Sequence, residues 1–462
     1  MGRCNATPPL KGNFYNCSER LLKAHNCSIS TRVRRNRRFH EIQMPGSKKI
    51  MKLFYKICFL LLGFSFKASA ETWKVGRQQN VHSIQQAIKM SKNGDTILVD
   101  AGTYFEKNIT VNKSIVLKGI NHPVLDGEKK YEVISIKADD VIVDGFEIRH
   151  CGNSAMDDLA AIKIYNSRNV VIRNNILGDN FFGIYTQYGT NCIITNNKIR
   201  APGNSELQNG NGIHCWKSDS MRVTANKVSG HRDGIYFEFV TNSIIWRNIS
   251  ESNIRYGLHF MFSHNNAYIS NIFSNNGAGV AVMYTHGMKM YNNIFEESWG
   301  DAAFGLLMKD ISDSYISGNR FIRNTSGIYM EGSSRIVMEK NIFQNNGWAV
   351  KMQGSCDDNT VMYNNFSGNT FDISTNSELV LNLFNNNYWD KYEGYDINRD
   401  GNGDVPYRPV SLYSMIIDKN PSTAILFRSM IVTLLDKSEK VFPSMIPVDL
   451  KDKFPHMKPF PL

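Results

Sequence analysis

The sequence predicts an all-β protein, a right-handed parallel β-helix opened by a short capping helix and followed by a C-terminal docking tail. Two periodicities carry this reading. A Gly, or a small residue in its place, followed by alternating apolar positions recurs at Ala161, Gly183, Gly212, Gly234, Gly257, Gly279, Gly305, Gly327 and Ala349, and most gaps are 22 or 23 residues. An Asn just ahead of an apolar residue recurs in step, at Asn175, Asn197, Asn226, Asn248, Asn271, Asn293, Asn319, Asn341 and Asn365. Short strands of period two in such units, without heptads, describe coils that bury their inward positions only against the coils above and below. Asn tolerates the left-handed backbone of a tight bend and stacks into hydrogen-bonded ladders, so one Asn per unit reads as one bend per coil. The period does not show the hand; right-handed crossovers dominate parallel sheets, and that supplies it.

Each segment follows in chain order. Residues 1–70 hold 14 Lys and Arg against 2 Asp and Glu, which leaves 39 against 40 for the rest of the chain. The net charge of +11 is therefore a property of the upstream segment, and a nucleic-acid-binding body is excluded. Residues 51–70, "MKLFYKICFLLLGFSFKASA", have the order of a secretory signal: Lys52 and Lys56, an apolar run too short to span a bilayer, then Ala68-Ser69-Ala70. Cleavage after Ala70 sends a mature chain beginning at Glu71 to the periplasm. Residues 1–50 read as a non-native or disordered extension. From residue 71 a capping box of Ser83 and Gln86, an apolar face of Ile84, Ala87 and Ile88, and a stop at Gly94 predict the capping helix. The β-helix is expected over 71–385. Its four cysteines, Cys151, Cys192, Cys215 and Cys356, have no CxxC spacing and read as small buried thiols.

Counted from each register Gly, positions plus one and plus three are apolar and face inward; plus two and plus four face outward. Met308, Met330 and Met352 fall at plus three, as core filler. Met261 and Met283 fall at plus four of adjacent coils, which should stack about 4.8 Å apart. His264 and His286 fall at plus seven of the same two coils, and His259, at plus two, is a fifth group on the outer ladder. Thioether and imidazole donors suit Cu(I), held transiently, far better than Mg or Ca. The same residues also describe an apolar surface strip with two loop histidines.

Near the C-terminus, "DINRDGNGDVPYRP" sets Asp396, Asn398, Asp400, Asn402 and Asp404 around Gly401, as in the first part of a calcium loop, with Tyr407 where the closing Glu belongs. A turn capped by its own Asx side chains fits the same string. Beyond it, Phe427, Met430, Ile431, Leu434 and Leu435 have helical spacing between Pro421 and Pro443, an amphipathic docking helix within a region spanning 386–462. Because the solenoid closes its own core coil by coil, the chain from about Pro421 onward is expected to be removable without unfolding it.

The stretches "RYGLHFMFSHNN", "GVAVMYTHGMKM", "NNYWDKYEGYDINRDGNGDVPYRP" and "LFRSMIVTLLDKSEKVFP" resemble the NosD family, β-helix proteins of nitrous oxide reductase maturation. The resemblance runs from about Thr72 to Leu462. It implies a periplasmic, non-catalytic accessory protein whose C-terminal region docks on an ABC transporter made of a permease and an ATPase. It further implies receipt of copper from a membrane-anchored chaperone for the copper centres of nitrous oxide reductase. A rival class is a polysaccharide lyase or epimerase on the same pectin-lyase-like solenoid, which needs clustered carboxylates or Arg and Lys facing an acidic sugar. On the outer ladder Glu238 and Glu331 lie on distant coils, and Asp233 has no acidic partner in the adjoining one.

Overall fold

Every coil of this chain is built from short strands paired in parallel with the coils before and after it. In the computed structural model the strands form one 25-stranded and one 13-stranded parallel sheet wound around a single core. The structure describes residues 70–462 apart from 155, 204, 378–380 and 443–448, so the expected extension and all but the last residue of the signal segment lie outside the described residues.

Parallel stacking brings equivalent positions of successive coils into register, and the side chains there form continuous ladders. The inward positions behave as the period requires: Leu258, Phe260, Val280, Val282, Met308, Met330 and Met352 are all buried. Register glycines sit where the coils approach most closely. A Cβ on Gly279 would lie 2.5 Å from the carbonyl oxygen of Gly305, which no side chain survives. A second ladder passes through Phe273, Phe295, Phe321, Phe343, Phe366 and Trp389, with ring centroids 4.1 to 5.5 Å apart.

The asparagine ladder is present, with two corrections. Each amide donates to the next Asn Oδ1 at 2.9 to 3.1 Å, as in Asn248 to Asn271 and Asn319 to Asn341. The member after Asn341 is Asn364, not Asn365, and Asn387 follows it. The left-handed residue is the one before each ladder position, for example Asn174, Ala225, Arg247 and Lys340. The ladder Asn is turned inward, where its amide also satisfies a carbonyl of the preceding coil.

At the start, α1 (Ile84–Met90) covers the open end with Ile84, Ala87 and Ile88 buried. Ser83 accepts from the Gln86 amide, and Glu106 completes the cap by accepting from Ser83 Oγ and the Ile84 and Gln85 amides. The helix stops at Met90, ahead of Gly94.

At the far end the pairing runs to Tyr388–Trp389, slightly past the expected boundary. Two helices follow instead of one, α2 (Leu412–Lys419) and α3 (Met430–Val441), joined through a 3₁₀ turn at Pro421–Leu426. Val432 packs with Phe371, Tyr413 and Ile417, while Met430, Ile431 and Leu434 are 78%, 58% and 54% exposed. The chain then returns to the solenoid. Buried Asp452 accepts from the Asn386 and Asn387 amides, the Asn387 side chain and Trp389 Nε1, ending the asparagine ladder with a carboxylate. Residues beyond Pro421 are therefore part of the solenoid's closure, contrary to the expectation that they are removable. Among the described residues no helix is long and apolar enough to cross a membrane.

Candidate metal centre

Five consecutive strands of the larger sheet present the outward face that matters: β1 (Ile213–Trp216), β2 (Asp233–Glu238), β3 (Tyr256–Met261), β4 (Ala278–His286) and β5 (Phe304–Ser317). Met261 and Met283 are direct register partners on β3 and β4, both half-buried. Glu238 precedes them in the ladder and Lys309 follows, so the sulfur pair is bounded by one hard anion and one cation.

His259 lies two residues before Met261 on the same face of the same strand. Its register partner on β4 is Ala281, a side chain with no donor of its own. His259 is only 5% exposed, and neither ring nitrogen has a hydrogen-bond partner. The ring stacks on Tyr236 at 4.6 Å and meets Tyr256 at 4.9 Å. The Tyr236 hydroxyl donates to Met261 Sδ at 3.6 Å, which places His259, Tyr236 and the sulfur pair in one neighbourhood. Burial raises the Tyr236 phenol, helped by nearby Glu238, so it stays protonated and able to donate at neutral pH.

His264 and His286 are brought together, but elsewhere. Phe262 and Tyr284 take left-handed backbone (φ 51° and 53°), and the chain turns a corner there before reaching the histidines. The two rings stack at 4.0 Å and 11°, and the His286 amide donates to His264 Nδ1 at 3.3 Å. Two parallel imidazoles direct their in-plane lone pairs side by side and do not converge on one ion. Burial, with His286 adding to it, lowers the His264 pKa. Of the five residues singled out from the sequence, the structure thus groups Met261, Met283 and His259 on one face and sets the stacked pair beyond the corner.

The outer face is also less open than alternation alone implies. His214 is buried, stacked on Tyr185 and tilted against Tyr236, and Asn211 from the preceding loop lies against it. Asp233, fully buried, faces Arg255 at 3.1 Å, His259 Nδ1 at 3.5 Å and Arg232 at 3.9 Å. Sequence reading passed over this carboxylate because it sought a second acid. The available signal was the paired "RDG" and "RYG" strings, which put an Arg and a polar neighbour ahead of successive register glycines.

The Asp396 loop takes the self-capped form. Asp396 accepts from the Asp400 and Gly401 amides, Asn398 from Asp400, Asp400 from Asn402 and Asp404 from Ile397, while Asn402 Oδ1 accepts from the Asn386 side chain. These bonds order the loop, and each carboxylate oxygen keeps a second lone pair beyond the N–H it accepts. Among the described residues no three His, Cys, Asp or Glu side chains converge as a metal cage. The four cysteines are buried and free.

Known proteins similar to this chain share its fold and a family description. Residues 200–401 match the family described as "Periplasmic copper-binding protein (NosD)", and residues 78–220 match "Right handed beta helix region". The chain is 27% identical over 381 residues to the "Probable ABC transporter binding protein NosD" of Stutzerimonas stutzeri, covering 78% of this chain and 86% of the relative. It is 28% identical over 378 residues to the protein of the same name from Pseudomonas aeruginosa, covering 78% and 87%. Among solved structures, PfbA, a surface adhesin of Streptococcus pneumoniae, shares the fold at TM-score 0.52 and 13% identity, covering 67% of this chain and 88% of that one. The chain is thus similar to the NosD family over residues 200–401 and to two NosD-named relatives over most of its length, on a β-helix architecture.

Proposed function

We propose that this protein is a periplasmic copper-handling accessory factor that works beside an ABC transporter in maturation of the copper centres of nitrous oxide reductase. The observation that carries the reading is the register pairing of Met261 with Met283, with unpartnered His259 on the same face. Two thioethers on strands about 4.8 Å apart and one imidazole form a soft, low-charge donor set that favours Cu(I) over the hard divalent ions. Both methionines are only half-buried, which leaves a bound ion within reach of a partner, as transfer requires. A copper-donating chaperone and the reductase would exchange copper here. The exposed apolar side of α3, with Ile431 and Leu434, is the surface offered to the permease.

A denitrifying strain lacking its own copy and complemented with variants tests this. The wild-type chain should restore copper-loaded reductase, and Met261→Leu/Met283→Leu should leave it copper-poor although exported and folded. Ile431→Asp/Leu434→Asp should fail in the same assay and lose co-purification with the permease. Full copper loading with both methionines replaced would overturn the reading. The carbohydrate-active alternative is less well supported: Asp233, the carboxylate beside His259, is engaged by Arg255.

A further inference from the structure

We propose that Asp233 is the positioning residue that makes His259 a copper ligand, with Arg255 fixing the carboxylate. This rests on the copper reading above and extends it to a residue that touches no ion itself. A neutral imidazole carries one N–H, and whichever nitrogen holds it faces an acceptor while the other presents its lone pair. Asp233 Oδ2 is the carboxylate oxygen beside His259 Nδ1, at 3.5 Å. With the proton on Nδ1, Nε2 becomes the donor atom, and the anion behind the ring raises its basicity. At 3.5 Å the pair is at ion-pair distance without a formed hydrogen bond, and both ring nitrogens, like Asp233 Oδ1, stay unpartnered. Buried polar groups are rarely left so, and closing this contact on metal binding would resolve two of the three at once.

The carboxylate is itself held. Arg255 Nη2 donates to the same Oδ2 at 3.1 Å, and the guanidinium lies over the Tyr256 ring at 4.9 Å. Tyr256 and Tyr236 in turn confine the His259 ring. Asp233 comes from β2 and His259 from β3, one coil apart, so the pair spans the same coil-to-coil step as the two methionines span from β3 to β4. Three adjacent coils would then each supply one layer of the site: orienting acid, His with Met, and second Met.

The test uses the mature chain loaded with Cu(I), with affinity read by competition against a chromophoric chelator and coordination read by X-ray absorption at the copper edge. Asp233→Asn should weaken Cu(I) by about 10- to 100-fold. It should remove the imidazole scattering path while leaving the sulfur paths in place. His259→Gln should give the same spectrum, and combining the two changes should weaken binding no further than His259→Gln alone. Asp233→Glu keeps the charge beside Arg255 but moves the oxygen by one methylene; it covers the case in which the amide variant does not fold, and a partial loss of the imidazole path is expected. An intact imidazole path with unchanged affinity in either folded variant overturns the positioning role. If Met261→Leu/Met283→Leu still loses copper in that event, the copper reading stands and only the role of Asp233 falls. If the methionine variant also binds normally, the copper reading itself fails.

Discussion

Asn319 shows what a single ladder position supports. Its Oδ1 accepts from the Asn293 amide and side chain, and its Nδ2 donates to Met290 O and Asn341 Oδ1, all out of solvent. Replacing it with Ala strands two donors and a carbonyl in the core, and each buried orphan costs roughly 1 to 3 kcal/mol. Asn319→Ala should therefore lower the free energy of unfolding by at least about 2 kcal/mol with an unchanged denaturant slope, and a loss under about 0.5 kcal/mol would contradict the ladder's role. The repeat of Asn was legible in the sequence. Its exact seat was not, because "NNF" at 364–366 offers two amides and local propensity treats them alike; the 23-residue step from Asn341 through Asn364 to Asn387 separates them. The left-handed turn was misplaced for a related reason: the ladder amide must point inward, so the bend falls on the residue before it, which is Asn at 174 but Ala225 and Arg247 in other coils. His259, by contrast, was legible as an outward residue but not as a buried one, since alternation reports the face of a strand and not what covers it.

Elements at the two ends do what the middle coils do for one another. α1 closes the start with three apolar residues and a cap completed by Glu106 from another coil, and its apolar face was readable from spacing alone. The other end was not readable, because nothing in the spacing of residues 449–462 says that the chain comes back. Asp452 supplies the acceptors that a further asparagine would have supplied, and it reaches the ladder from 65 residues downstream of Asn387. Asp452→Ala should leave the Asn387 and Trp389 donors unpaired, lower the melting temperature, and speed amide exchange over residues 383–389 while coils around Asn248 stay protected. Uniform exchange along the solenoid would contradict a local closing role. Truncation at Pro421 removes the same stopper and should show the same fraying, so loss of transporter association in such a truncate would not isolate docking. The exposed Ile431 and Leu434 on α3 can be changed without touching the closure.

Two fully or nearly fully buried histidines, His214 on the outward face and His231 against the Gly210 carbonyl, make the stability of the whole molecule depend on pH. Burial lowers His214 to about 3, with Arg232 adding to it, and lowers His231 to about 4. Both values lie below the ordinary histidine range, so the unfolded chain takes up protons that the folded chain refuses. Stability should be level above about pH 6.5 and fall as pH drops from there through about 4 and 3, by up to about 1.4 kcal/mol per unit for each histidine. The melting temperature of His214→Gln/His231→Gln should be flatter across that window than that of the wild type; parallel profiles would contradict the burial of neutral imidazoles. At this scale the solenoid, its register and the sulfur pair were legible, since all three follow from one period. The grouping of His259 with the methionines, and the removal of His264 and His286 beyond a corner, were not, because a corner costs the sequence only one residue in an unusual conformation. The measurement that bears most directly on the copper claim is competition for Cu(I) between the protein and a chromophoric chelator, for the wild type, Met261→Leu/Met283→Leu and Met330→Leu. The outward double variant should bind Cu(I) far more weakly with its melting temperature nearly unchanged, while the inward Met330→Leu should keep its copper affinity and lose less than about 1.5 kcal/mol of stability. Equal affinity in the double variant and the wild type would contradict the account.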